Sequence, residues 1–115
     1  MLPEDDIIRL RHMLDAAVET MEFIEGYARA DLEKNAMLSR AITRDIEIIG
    51  EAAGKVSTET REHCPALPWE SIVGMRNRLI HGYFNVDLDR VWDTVTVDLP
   101  ILITELRFIL SKIQY

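Results

Sequence analysis

The stretch that decides the fold is residues 38–56, LSRAITRDIEIIGEAAGKV. Apolar residues recur there in steps of three and four, which places them along one face of an α-helix. A spacing kept this long favours packing against other helices at small crossing angles. Gly50 costs the helix about 1 kcal/mol relative to alanine, so we expect another helix to approach closely there. The stripe consists of Leu38, Ile42, Ile46, Ile49, Ala53 and Val56.

The same periodicity predicts four helical segments. The stretch above belongs to a helix over 31–56, which follows a first helix over 3–28. A shorter third helix begins at 68 or 69 and ends at 81, and a fourth runs from 87 or 89 to 113. No segment has the alternation of a strand. The sequence therefore predicts an all-α fold of one domain over 1–115, an antiparallel four-helix bundle with a short third helix.

Proline and glycine mark the breaks between these segments. Residues 57–68 contain two X-Pro steps, at Pro65 and Pro68, which disfavour helix, so we expect the main loop there. Gly82 fits the left-handed position past the end of the third helix. Pro100 interrupts the hydrogen-bond ladder of the fourth helix, which predicts a kink.

Composition points to a soluble, cytoplasmic protein without a metal or other cofactor. No uncharged run approaches the roughly 18 residues that span a bilayer, and the N-terminal MLPEDD is acidic where a signal peptide is basic. Cys64 is the only cysteine, so no intrachain disulfide forms. Because His63 and Cys64 are adjacent, they are poorly spaced for one zinc ion. We expect a buried or half-buried thiol in the loop.

The net charge of −7 restricts any action on nucleic acid. Phosphate contacts dominate the affinity of nucleic-acid binders, which usually carry a basic face. This chain cannot coat RNA, so a local basic focus or a partner must supply the positive charge.

Some helices carry a second apolar face. Ile101 and Phe108 lie off the main stripe of the fourth helix, and Ile8 and Val18 lie off that of the first. A second apolar face on a small chain predicts a homodimer. The alternative is a wide core face within one chain.

The chemistry-bearing segment is residues 73–85, VGMRNRLIHGYFN. The planar donors of Arg76 suit phosphate oxygens, and His81, expected at the helix end, is a candidate general acid. Cleavage of RNA without a metal ion needs both a group that binds and stabilises the phosphate and a group that protonates the leaving oxygen.

Arg76 and His81 are five residues apart, and on a helix the side-chain directions of two such residues differ by roughly 140°. For Arg76 and His81 to act on one phosphate, the long arginine side chain must wrap around the helix, the helix end must unwind, or a second copy of the chain must complete the site. Without further evidence, an arginine and a histidine near a helix end are more often exposed residues without a catalytic role, or residues that cap the helix.

Residues 76–83, RNRLIHGY, resemble the Arg-X4-His-X-Tyr motif of the HEPN superfamily in its HepT-like branch. Residues 44–53, RDIEIIGEAA, and Trp69 at the start of the motif helix are similar to the same branch, so the resemblance covers nearly the whole chain. It implies a metal-independent ribonuclease site at a homodimer cleft. Arg76 would bind phosphate and stabilise the transition state, and His81 would act as acid and base.

The resemblance also implies roles for the neighbouring residues. Asn77 would orient the scissile phosphate, and Arg78 is a further candidate for substrate binding. Tyr83 corresponds to the residue that a cognate minimal nucleotidyltransferase antitoxin modifies with AMP. Bulk and charge added two residues from His81 would block RNA entry.

Two glutamates of the second helix, Glu47 and Glu51, are supporting candidates. A di-iron site would also need a histidine three residues after a glutamate, and the sequence has none. One interpretation is a surface ladder of ion pairs with Arg44 and Lys55. The other is that one glutamate approaches Arg76 and fixes its orientation.

The sequence therefore predicts an endoribonuclease toxin of a type VII-like toxin–antitoxin pair, with RNA and not DNA as substrate. The alternative is a non-catalytic helical dimer that serves a nucleotidyltransferase partner as a scaffold and helps to bind nucleotide. Dependence of cleavage on His81 separates the two. A purely structural helical protein would leave the Arg-X4-His-X-Tyr pattern unexplained.

Overall fold

The computed structural model describes residues 2–81 and 85–113, and their regular structure is helical apart from one isolated bridge. The predicted all-α class is confirmed, whereas the four-helix bundle and the dimer stay predictions. No helix in these two ranges is long and apolar enough to cross a membrane. The helices are α1 Glu4–Phe23, α2 Asp31–Lys34, α3 Ala36–Lys55, α4 Thr58–His63, α5 Trp69–Leu79, α6 Leu88–Asp93 and α7 Leu99–Ile113.

The helix α3 lies at the centre of the packing. It contacts α1 on one side and α5 on the other, and α1 also packs against α7. Every member of the predicted apolar stripe of α3 is buried, with Ile42, Ile46 and Ile49 fully so. The hydrophobic burial of this stripe positions α5, which carries the Arg76 segment.

Gly50 marks the close approach of α3 and α5. A Cβ atom at this position would lie 3.7 Å from the carbonyl oxygens of both Ile72 and Val73. The expected close approach of a second helix at Gly50 is thus confirmed.

Several of the predicted segment boundaries are wrong. The first helix ends at Phe23 and not at 28, because the chain turns at Gly26, whose φ of 82° is in the left-handed region. The helix over 31–56 is divided at Asn35, which is extended and whose side chain accepts a hydrogen bond from Leu38 N at 3.1 Å. The predicted loop over 57–68 contains α4, because Ser57 caps that helix by accepting from Thr60 N. At Asn35 and at Ser57 a local side-chain cap sets a helix start that the apolar spacing did not reveal.

The helix α5 ends two residues earlier than predicted. Its last helical residue is Leu79, and Ile80 is extended and forms a bridge with Val86. The N–H of His81 donates to the carbonyl oxygen of Asn85 at 2.8 Å. His81 therefore lies beyond the helix end, in a short antiparallel pairing, and the predicted cap Gly82 lies outside the described residues.

The interruption predicted at Pro100 takes the form of a π-helical turn. This turn, Thr94–Asp98, joins α6 to α7 and ends two residues before Pro100. Proline lacks an N–H and its ring clashes with the carbonyl four residues earlier, and a π-turn relieves that conflict. At the start of α6, Asp87 caps the helix by accepting a hydrogen bond from Arg90 N at 3.1 Å.

A buried carboxyl group joins α1 to α3. Asp45 is only 3% exposed, and Thr20 Oγ1 donates to its Oδ2 at 3.1 Å. Burial, and secondly the negative charge of Glu19, raise the pKa of Asp45 to about 6. The α1–α3 interface therefore contains a group that is more easily protonated than an ordinary aspartate.

A second buried aspartate ties the start of α1 to α4. Asp6 Oδ2 accepts from Ser57 Oγ at 2.6 Å and from Thr60 Oγ1 at 2.5 Å. Burial alone would raise the pKa of Asp6, but the hydrogen bonds from Ser57 and Thr60 outweigh it and hold the pKa below that of an ordinary aspartate. This carboxylate stabilises the fold in its charged form.

Three of the off-stripe apolar residues are exposed in the single chain. The exposed fractions are 43% for Ile8, 62% for Ile101 and 58% for Phe108. The alternative of a wide core face within one chain is thus wrong for these three residues. The homodimer remains a prediction that would cover them.

Candidate functional site

An open groove of ≈ 640 Å³ lies between α3, the C-terminal end of α5 and the segment that leads into α6. Its polar wall comes mainly from α3, and its apolar floor includes the buried side chains of Leu32 and Ile80. The groove is lined by Leu32, Glu33, Ala36, Ser39, Arg40, Thr43, Arg44, Glu47, Arg76, Ile80, Val86 and Leu88.

Arg76 reaches this groove from α5 and meets Glu47 of α3. Arg76 Nε lies 3.7 Å from Glu47 Oε2, with the two side chains 46% and 27% exposed. An ion pair this exposed contributes less than about 1 kcal/mol to stability. The contact can nevertheless orient the guanidinium group, which is the second of the two interpretations that the sequence left open for Glu47 and Glu51.

Glu51 contacts a different arginine. Its Oε1 lies 4.0 Å from Arg44 Nη1, at the limit of an ion pair, and both side chains are about three-fifths exposed (62% and 60%). The observed ion pairs therefore differ from the ladder expected on the surface of the helix. Arg44 pairs with Glu51, and Glu47 pairs with Arg76.

Two arginines in this groove were not among the site residues predicted from sequence. Arg40 and Arg44 are four residues apart on α3, so they lie on one face of the helix, and both line the groove with Arg76. The i,i+4 spacing was visible in the sequence. Their proximity to Arg76 was not, because it depends on the packing of α5 against α3.

His81 and Asn77 are exposed but are not among the residues that line the groove. Because the chain leaves the helix at Ile80, the 140° divergence expected for a continuous helix does not apply to Arg76 and His81. Of the three solutions considered, the structure shows an unwound helix end. Tyr83 lies outside the described residues.

Arg78 lies on another side of α5. Residues two apart on a helix point in nearly opposite directions, about 200° apart. Arg78 Nη2 donates to the carbonyl oxygen of Ser71 at 2.9 Å, and the side chain lines a separate cavity between α5 and α7. The structure therefore does not bring Arg78 together with Arg76.

Cys64 is 5% exposed, and burial raises the pKa of its thiol. Trp69 Nε1 donates to the Cys64 carbonyl oxygen at 3.0 Å, so this tryptophan is a core residue at the start of α5. Within 2–81 and 85–113, no group of three or more His, Cys, Asp or Glu side chains is placed to hold a metal ion. The predicted buried thiol is confirmed.

The fold and the site define an all-helical protein with an arginine-lined groove beside an Arg-X4-His segment. Residues 13–109 match the family model described as "Ribonuclease HepT-like". The chain belongs to this HepT-like family of the HEPN superfamily.

The chain is also similar in sequence to proteins whose names refer to the same family or to ribonucleases. The chain is 38% identical over 103 residues to "Putative RNase TTE0752" of Caldanaerobacter subterraneus subsp. tengcongensis, covering 90% of this chain and 92% of the relative. It is 34% identical over 93 residues to "Probable ribonuclease HepT" of Thermococcus cleftensis, covering 77% and 84%. No solved structure matches the chain significantly.

Proposed function

We propose that this protein is a metal-independent endoribonuclease in which Arg76 and His81 perform the chemistry. The observation that carries the proposal is the position of Arg76, in an arginine-lined groove and next to Glu47, in a chain of the HepT-like family. The names of the relatives, which refer to ribonuclease activity, also support it.

The cleavage step is an internal transfer at phosphorus. The ribose 2′-hydroxyl gives its proton to a neutral His81 imidazole that acts as base. The 2′-oxygen attacks the adjacent phosphorus to form a phosphorane, from which the bond to the 5′-oxygen then breaks. Arg76 stabilises the added negative charge through two parallel N–H donors. His81 donates a proton to the leaving 5′-oxygen. The products are a 2′,3′-cyclic phosphate and a 5′-hydroxyl end.

The arrangement also fits a two-fold site. His81 is exposed and does not line the groove of its own chain, whereas Arg76 does. In a homodimer, each copy would contribute an arginine and a histidine to a shared cleft, with Asn77 orienting the phosphate. The exposed apolar residues of α1 and α7 are candidates for the contact between copies.

The regulatory part of the proposal concerns Tyr83. A cognate nucleotidyltransferase antitoxin would transfer AMP from ATP to the Tyr83 hydroxyl, with pyrophosphate as the leaving group. The new phosphodiester adds bulk and negative charge two residues from His81, which would exclude RNA from the site. The protein would then be the toxin of a toxin–antitoxin pair. The motif resemblance supports this role.

The proposal is tested with protein freed of partner, shown by intact mass to be unmodified, and incubated with total RNA in EDTA. We expect cleavage by the wild type and a loss of about 100-fold or more in Arg76→Ala and His81→Ala. The matched controls Arg107→Ala and His12→Ala change exposed residues outside the groove and should leave cleavage intact. A folded wild type that cleaves nothing would favour the scaffold function instead.

A further inference from the structure

The three groove arginines, Arg40, Arg44 and Arg76, differ from most other arginines of the chain in their side-chain hydrogen bonds. Arg29, Arg61 and Arg78 each donate a side-chain hydrogen bond to a carboxylate or a carbonyl oxygen. Among the hydrogen bonds of the described residues, none involves the side chains of Arg40, Arg44 or Arg76. Three guanidinium groups thus line one groove, and none of them is held by a hydrogen bond to another described residue.

Carboxylates neutralise this set only in part, since Glu47 pairs with Arg76 and Glu51 Oε1 lies 4.0 Å from Arg44 Nη1. Glu33 faces Arg29, with 3.1 Å between Oε1 and Nη2. Arg40 makes no ion pair with any residue in 2–81 or 85–113. A chain with a net charge of −7 therefore keeps a local set of cations beside its candidate catalytic arginine.

The spacing of these arginines fits a linear polyanion. Arg40 and Arg44 are one turn apart on α3, about 6 Å along the helix axis, and Arg76 follows across the groove. The floor is apolar, with Ile80 and Val86 among its residues, so it can contact sugars and bases. A small compound with one phosphate would occupy only part of such a groove.

We propose that the groove binds the phosphate backbone of single-stranded RNA, with Arg40 and Arg44 contacting phosphates on one side of the phosphate held by Arg76. This proposal rests on the proposed ribonuclease function and adds the path of the substrate. Arg40 and Arg44 act in binding and do not take part in the cleavage step. Cleavage of a substrate whose only phosphate is held by Arg76 should therefore depend little on Arg40 and Arg44.

The test measures binding separately from cleavage. A fluorescein-labelled 12-nucleotide 2′-O-methyl RNA has no 2′-hydroxyl to attack, so its fluorescence anisotropy reports binding alone at a series of salt concentrations. The double variant Arg40→Ala/Arg44→Ala is compared with Arg11→Ala/Arg107→Ala. The control pair removes the same charge from exposed residues outside the groove.

We expect the groove variant to bind at least about 10-fold more weakly at 0.1 M salt, and the control to stay within about twofold of wild type. Each phosphate contact on a single strand contributes about 0.7 to the slope of log affinity against log salt, so the slope should decrease by roughly 1.4 in the groove variant only. Cleavage of a diribonucleotide, whose single phosphate is held by Arg76, should decrease much less in the groove variant than cleavage of a 12-nucleotide RNA.

Equal anisotropy curves for the two double variants would overturn the RNA path. So would a groove variant that binds RNA normally but sediments as a different oligomer, because the groove would then be a protein interface. Absence of cleavage by the wild type would instead contradict the ribonuclease function and leave the anisotropy result interpretable.

Discussion

At the scale of single residues, the account depends most on the contact between Arg76 and Glu47. We expect Glu47→Gln to lower kcat about 10-fold to 100-fold with a smaller change in KM, because the guanidinium group loses the carboxylate that orients it. The melting temperature should hardly change, since the pair is half exposed. Steady-state cleavage of a fluorogenic oligoribonucleotide and a thermal melt provide the two measurements.

The control for this positioning role is Glu62→Gln, an exposed glutamate of α4 outside the groove. A kcat of Glu47→Gln equal to that of the control would contradict the role. A large fall in melting temperature with unchanged kcat would show that the carboxylate is structural.

At the scale of elements, the interface of α1 and α3 should respond to pH. The pKa of Asp45 is raised to about 6 in the folded protein, so the folded state binds this proton more tightly than the unfolded state. Stability from this group is therefore greatest below about pH 4 and decreases as the pH rises to about 6. Above that range its contribution is constant.

We expect Asp45→Asn to remove this decrease, because the amide is neutral at every pH and can still accept from Thr20. The free energy of unfolding in urea, measured at pH 4.5 and 7.5, should fall by roughly 1–2 kcal/mol more between these pH values in the wild type than in the variant. Asp15→Asn, an exposed change on α1, should follow the wild type. Identical pH dependence in wild type and Asp45→Asn would contradict this interpretation.

The elements also show which features of the fold can be predicted from sequence. The apolar stripe of α3 was correct residue by residue, because burial follows the helical period wherever the helix lies. The close approach at Gly50 was predicted correctly because it depends only on a neighbouring backbone. An irregular turn lies near Pro100, where proline's local constraint led us to expect an interruption, while the kink itself stays a prediction.

The errors have identifiable causes. Asn35 and Ser57 start helices through single side-chain caps, which the apolar period does not contain. The early end of α5 comes from the pairing of Ile80 with Val86, a backbone contact that the apolar period does not contain. The groove arginines were missed because their relation to Arg76 is tertiary.

At the scale of the whole molecule, the charge distribution constrains the substrate. The net charge of −7 opposes general binding of nucleic acid, while the groove concentrates Arg40, Arg44 and Arg76 at one place. A protein of this kind is expected to act on a restricted set of RNAs that enter one groove. A homodimer would present two such grooves around a shared two-fold axis.

The measurement that tests the central claim most directly is the chemistry of the cleaved ends. A synthetic RNA that contains one preferred site is cleaved in EDTA, and the fragments are weighed by mass spectrometry. The account predicts a 2′,3′-cyclic phosphate on one fragment and a 5′-hydroxyl on the other, with no cleavage when the ribose at that site carries 2′-O-methyl. Fragments with 5′-phosphate ends, or cleavage that survives the methyl group, would contradict it.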